Sequence, residues 1–206
     1  MKFINHRINS VSDLKKVPLE HGVELDVRYH NNDLILHHDP FHHHESKTEK
    51  LEDFLQNWIN KGHIIVNVKT EGIEKKCIKI MQKYQINKWF FLDLSMPYFV
   101  LYAAIAEKST IDGFRPENLA VRFSEREPIE YALSFTGKAE WVWVDCFTHM
   151  PMNEHHYQEL KNAGFKICLV SPELQKHPLD RISEFKEQIS TMEIDAICTK
   201  RPDLWV

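Results

Sequence analysis

Two carboxylates stand two residues apart in the apolar run Val23-Glu24-Leu25-Asp26-Val27. In a β-strand, side chains two apart share a face. Glu24 and Asp26 therefore point together, while Val23, Leu25 and Val27 point away. Two acids on one interior face repel each other and lose solvation unless a cation or a proton intervenes. A divalent ion such as Mg²⁺ or Ca²⁺, which takes oxygen ligands, meets that need. Ion pairs with Lys or Arg meet it too, and spacing does not choose between them. The same parity turns Asn67 and Lys69 to one side of the run Ile64-Ile65-Val66-Asn67-Val68-Lys69. Asn67 has a carbonyl oxygen to offer a metal. Lys69 can hold a phosphate, lower the carboxylate pKa values, or simply bridge to an acid. His6 closes the first apolar run and His38 precedes Asp39-Pro40, where the proline holds its neighbour extended and aims the histidine. Histidine titrates near neutral pH and can both take and give a proton. A further run, His42-His43-His44, cannot turn three adjacent side chains to one ion and reads as a solvated loop.

The elements that must position these residues alternate along the chain. Strands are expected at 3–5, 23–27, 64–68, 89–93, 119–122, 141–145, 166–170 and 195–198, with a hairpin arm at 33–38 after Asn31-Asn32. Between them, apolar residues recur at helical spacing: Leu51, Phe54, Leu55, Trp58 and Ile59; Ile73, Cys77, Ile80, Met81 and Tyr84; Ile182, Phe185, Ile189 and Met192. Ser46-x-x-Glu49 and Ser124-x-x-Glu127 fit capping boxes, with a helix starting near Thr48. Gly164 fits a helix end. Repeated β-then-α units imply right-handed crossovers and parallel strands. Eight such units in 206 residues fit the small end of the α/β class known as the TIM (β/α)₈ barrel. A doubly wound open sheet is the alternative. No linker, repeat or low-complexity stretch divides the chain, so 1–206 is read as one domain. Such barrels carry their chemistry at the C-terminal strand ends, where Ser95, Arg122, Trp143 and Asp145 also fall. Arg122 can bind a phosphate or a carboxylate and Trp143 can stack on a sugar or a glycerol; packing or a local salt bridge would equally account for each.

Composition excludes several classes. Hydrophobic residues make up 43% and charged residues 27%, with a net charge of −4. No basic stripe advertises nucleic-acid binding. No apolar run approaches the ~20 residues of a membrane span, and the first residues do not read as a secretion signal. The four cysteines form no C-x-x-C pair and read as small buried hydrophobes of a reducing compartment, so a cytoplasmic location is expected.

The combination His6-Arg7, Glu24-x-Asp26-Val27-Arg28 and His38-Asp39-Pro40 resembles the glycerophosphodiester phosphodiesterase family, within the phosphatidylinositol-phospholipase-C-like barrels. Asn67-Val68-Lys69 stands where that family has Glu-x-Lys, and the stretch from Ile194 to Asp203 looks like its terminal strand. The resemblance implies a distorted barrel, one divalent cation (Mg²⁺ or Ca²⁺) and a two-histidine acid–base pair, His6 and His38. It implies Glu24, Asp26 and Asn67 as metal ligands, and Arg7 and Lys69 as phosphate contacts. The sequence departs from the family in four places. Asn67 replaces a carboxylate, which removes a charge and weakens metal affinity. Ile8 replaces the glycine after His-Arg. The Pro-Glu-Asn motif of the first loop is missing, Pro116-Glu117-Asn118 lying too far along. The usual insertion after Pro40 is absent, which leaves the site more open.

The expected function is thus metal-dependent cleavage of a small-molecule glycerophosphodiester or similar diester. One histidine deprotonates water or a substrate hydroxyl and the other protonates the departing alkoxide. The rival is a barrel that has lost catalysis and binds a phosphorylated ligand or a protein partner; a metal-dependent hydrolase or lyase for non-phosphate substrates is a second. Neither the alcohol group nor the oligomeric state is legible.

Overall fold

Runs of β-branched and aromatic residues buried on both faces make the sheet, as parallel strands covered by helices require. The computed structural model of the protein describes residues 1–40 and 48–206. In chain order the strands are β1 (Lys2–Asn5), β2 (Gly22–His30), β3 (Asp33–Leu36), β4 (Glu49–Lys50), β5 (Ile64–Val68), β6 (Trp89–Leu92), β7 (Ala120–Phe123), β8 (Trp141–Val144), β9 (Lys166–Val170) and β10 (Ala196–Thr199). All except β3 and β4 run parallel, in the ring order β6-β5-β2-β1-β10-β9-β8-β7. The ring is that of the expected (β/α)₈ barrel. Its two end strands, β6 and β7, share one parallel bridge, Phe91 to Leu119, and no ladder among the described residues. β3 is the hairpin arm, antiparallel to the upper half of β2, and β4 adds to its outer edge.

The helices are α1 (Val11–Leu14), α2 (Leu51–Gln56), α3 (Glu74–Lys83), α4 (Met96–Glu107), α5 (Ile129–Leu133), α6 (Glu154–Asn162) and α7 (Arg181–Gln188). They pack their apolar stripes on the sheet, and one continuous core reaches from Ile4 to Trp205. The four cysteines are buried and unbridged, and burial pushes each thiol pKa up. No described helix is long and apolar enough to cross a membrane.

Several local expectations are corrected. The helix expected to run through Trp58 and Ile59 stops at Gln56, leaving Ile59 74% exposed. That expected through Met192 stops at Gln188. Glu49 does not cap the helix expected to start beside it. It lies in β4, the helix begins at Leu51, and its carboxylate accepts the Val11 N–H at 2.6 Å. Ser46 and the run His42-His43-His44 lie outside the described residues. Ser124 and Glu127 make only half of a capping box: the Ser124 hydroxyl accepts the Glu127 N–H at 3.1 Å, but the Glu127 carboxylate accepts that hydroxyl at 2.8 Å while the Ser124 N–H donates to the Glu127 carbonyl at 3.0 Å. They close an antiparallel turn, not a helix, which starts only at Ile129. The reason is Pro128, whose ring keeps Glu127 out of the helical region. Gly164 ends its helix as expected, at φ +86°.

The register that matters most is set where two glycines meet. A Cβ on Gly62 would stand 2.1 Å from the Gly22 nitrogen, and one on Gly22 would stand 2.3 Å from the His63 carbonyl oxygen. This contact lets the Val23 N–H donate to the His63 carbonyl at 2.9 Å. From there β2 and β5 pair in step, with Asp26 opposite Asn67. Gly62→Ala is therefore expected to destabilise the fold by about 2 kcal/mol or more, seen as a lower urea midpoint. An unchanged midpoint would show that the backbones do not need this approach.

Candidate active site

At the C-terminal ends of the strands, His6, Arg7, Glu24, Asn67, Lys69, Asp93, Arg122, Trp143 and Asp145 line a polar cavity of about 150 Å³. β1 delivers His6 and Arg7, β2 Glu24, β5 Asn67 and Lys69, and β6 to β8 the rest. Arg7 adopts φ +55° and Asp93 φ +58°, left-handed conformations unusual for non-glycine residues and common where function constrains the backbone. The turn at Arg7 brings its N–H onto Glu24 Oε2 at 2.8 Å.

Glu24 and Asp26 are both fully buried. Glu24 accepts the Asn67 amide on Oε1 at 2.9 Å, and its Oε2 lies 3.7 Å from His6 Nε2. Asp26 is braced by Asn9, whose Nδ2 donates to Oδ2 at 2.8 Å and whose Oδ1 accepts the Asp26 N–H at 2.9 Å. Its nearest cations stand farther off: Lys69 Nζ at 3.6 Å from Oδ1 and Arg7 Nε at 4.0 Å from Oδ2. Burial first, and the neighbouring Asp26 second, push the Glu24 carboxyl above the usual carboxylate range, against the bonds from Asn67 and Arg7. Three buried polar atoms of this group, Asp26 Oδ1, Asn67 Oδ1 and His6 Nδ1, have no hydrogen-bond partner among the described residues. A carboxylate oxygen and an amide carbonyl left without partners beside a second buried carboxylate are a donor set of the kind a hard divalent cation takes.

The two histidines differ. His6 is largely enclosed, and burial, helped by the charges of Arg7 and Lys200, lowers its pKa to about 3. His38 sits at the rim on the hairpin arm. Its Nε2 contacts the Arg7 guanidinium and its Nδ1 lies 2.7 Å from Asp39 Oδ1. Arg28 fixes the backbone there, donating to the His38 carbonyl from Nε at 3.2 Å and Nη2 at 2.8 Å. Arg7 thus links His38 to the acid pair, and Lys69 spans Asp26 and Asp93, the latter at 3.3 Å.

The opposite wall is an ion cluster. Arg122 holds Asp93 at 2.6 Å, Glu127 at 2.8 Å and Asp145 at 3.0 Å, and these acids raise its pKa despite burial. Its guanidinium is engaged by protein carboxylates while it lines the cavity. Trp143 is buried, with its indole N–H 3.4 Å from Asp145 Oδ2. Gln175 adds a bond to Asp145 Oδ1 at 2.7 Å. Ser95 precedes α4, its hydroxyl buried with no partner among the described residues, and it is not among the residues lining the cavity. Pro116–Asn118 forms a short turn before β7, where Asn118 donates to the Trp89 carbonyl at 3.0 Å, at the far end of the strand from the site.

Sequence reasoning missed Asn9, Asp93, Gln175 and Lys200. Asn9 and Gln175 act through partners 17 and 30 residues away, for which no local pattern exists. Asp93 had a signal, an acid directly after a strand. Lys200 follows β10, and Glu173 fixes its backbone by accepting the Lys200 N–H at 3.0 Å and the Thr199 hydroxyl at 2.6 Å.

No family model matches the chain, and no curated protein matches it by sequence. Solved structures do. The glycerophosphodiester phosphodiesterase from Agrobacterium tumefaciens str. C58 is 15% identical, with a TM-score of 0.71 over 99% of this chain and 98% of that one. A glycerophosphoryl diester phosphodiesterase from Parabacteroides distasonis ATCC 8503 is 13% identical, with a TM-score of 0.66 over 98% of this chain and 84% of that one. The chain therefore shares their fold along essentially its whole length.

The ion cluster yields a stability prediction. Arg122→Met leaves three acids facing one another and is expected to cost about 3 kcal/mol. Arg122→Lys should recover little, because one ammonium cannot replace a fork that serves three carboxylates. Calorimetric melts of both variants check this. A lysine variant as stable as the parent would mean that charge alone, not the fork, holds the wall.

Proposed function

We propose that the protein is a phosphodiesterase that hydrolyses glycerophosphodiesters or similar small diesters with the help of one divalent cation, Mg²⁺ or Ca²⁺. The observation that carries this reading is the convergence of His6, Glu24, Asn67 and Lys69 on one cavity, with His38 tied to it through Arg7. The shared fold with two solved diesterases supports it.

Glu24, Asp26 and Asn67 would hold the ion, and the orphaned oxygens of Asp26 and Asn67 are the atoms with capacity to spare. The ion, when bound, supplies charge that offsets the negative charge of the phosphorane-like transition state. Lys69 and Arg7 add positive charge on the same side and orient the diester. The two imidazoles divide the proton transfers, one taking the proton of the nucleophile and the other giving one to the departing alkoxide. Asn9 keeps Asp26 from swinging away, and Arg122 keeps the opposite wall in place.

Hydrolysis of bis-(4-nitrophenyl) phosphate and of glycerophosphodiesters, followed with Mg²⁺ and then with EDTA, tests the reading. EDTA should abolish turnover and added Mg²⁺ restore it. His6→Ala and His38→Ala should each lower turnover at least ~10²-fold. Near-parental activity in either variant would remove that residue from the mechanism. Asn67→Asp should lower the cation concentration needed for half-maximal rate, since it adds a charged ligand.

A further inference from the structure

A second hollow, of about 440 Å³, lies directly beside the polar cavity, within the range of about 300–1,000 Å³ usual for ligand pockets. Leu94, Met96 and Phe99 line it from the β6–α4 side, and Val121, Pro128 and Tyr131 from the β7–α5 side. It exists because β6 and β7 part company. Beyond the bridge of Phe91 with Leu119 no ladder among the described residues holds them together. Every other neighbouring pair in the ring is laddered. Asp93 and Arg122 line both spaces, so their 2.6 Å ion pair is the partition between them.

The apolar wall continues outward. α4 carries no charged residue before Glu107, and it exposes Met96 by 62%, Val100 by 47% and Leu101 by 51%. A helix apolar on every side but only partly covered is unusual in a soluble fold, and contiguous exposed apolar surface marks binding. The polar cavity is too small and too charged to take such a group itself.

We propose that this seam hollow receives an apolar arm of the substrate, so that the diester cleaved next door carries one long acyl or alkyl chain on one of its ester groups. This rests on the diesterase reading above and narrows its substrate class. The reaction adds water across one P–O ester bond: hydroxide joins phosphorus, the proton goes to the departing alkoxide, and an alcohol and a phosphomonoester result. The phosphate lies among Arg7, Lys69 and the acid pair, while the chain passes the Asp93–Arg122 partition into the seam.

The test compares glycerophosphoethanolamine with its 1-lauroyl derivative, both below the critical micelle concentration, in the Mg²⁺-loaded full chain. The parent should show a kcat/KM ratio favouring the lauroyl substrate by about tenfold or more. Leu94→Glu, at the pocket wall, should collapse that ratio chiefly through KM. Met96→Glu, at the exposed lip, repeats the experiment in a position that cannot unfold the core, and melts of both variants verify folding. Equal rates on the two substrates, or a preference that both variants leave intact, would overturn the inference and leave the diesterase reading standing. A preference that appears only above the critical micelle concentration would assign recognition to an aggregate surface and likewise overturn it. No hydrolysis of either substrate, or of bis-(4-nitrophenyl) phosphate, would overturn the diesterase reading and this inference with it.

Discussion

Two carboxylates buried side by side on β2 are the constraint around which the rest is arranged. Neither Glu24 nor Asp26 is exposed to solvent, and isolated ionised acids are costly in such surroundings. The chain answers in part. Asn67 and the Arg7 N–H serve Glu24, Asn9 serves Asp26, and Lys69 and Arg7 stand at 3.6 and 4.0 Å. Burial, and next to it the charge of Asp26, outweigh these contacts and drive the Glu24 carboxyl toward its neutral form. A fold that needed only stability would replace such a pair with packed hydrophobes, often without loss. Its presence, at the strand ends where barrel enzymes work, is the physical basis of the functional proposal.

Most of what positions the pair is remote from it in sequence. The contact of Gly22 with Gly62 fixes the step between β2 and β5, and that step puts Asn67 opposite Asp26. Arg7 can reach Glu24 with its N–H and His38 with its guanidinium because its backbone takes a left-handed turn. The site is therefore held by register and backbone shape as much as by side-chain choice. The same is true of its opposite wall, where Arg122 satisfies three acids from three different segments.

The parts legible in the sequence are those governed by local rules. Alternation along 23–27 and 64–69 placed Glu24 with Asp26 and Asn67 with Lys69; Glu24, Asn67 and Lys69 share one cavity, while Asp26, 3.6 Å from Lys69, is not among its lining residues. The β-then-α rhythm gave the eight parallel strands. Illegible were features that depend on distant partners: the bracing of Asp26 by Asn9, the sharing of Arg122 among acids 5 to 29 residues away, and the unladdered seam between β6 and β7. Where a local rule misled, another had overridden it. The Ser124 hydroxyl accepts the Glu127 N–H as in a helix cap, but Pro128 makes that bond part of a hairpin-like corner.

The central claim is that Glu24, Asp26 and Asn67 form a place for one divalent cation. Calorimetric titration of the metal-free protein with Mn²⁺ or Mg²⁺, paired with melting curves, addresses it directly. The account predicts one ion per chain and a higher Tm, with a gain of about 2.7 kcal/mol at a hundredfold excess over Kd. It also predicts that Asp26→Asn abolishes the binding heat and the Tm shift. No binding heat and no Tm shift at millimolar cation, or unaltered binding by Asp26→Asn, would contradict it.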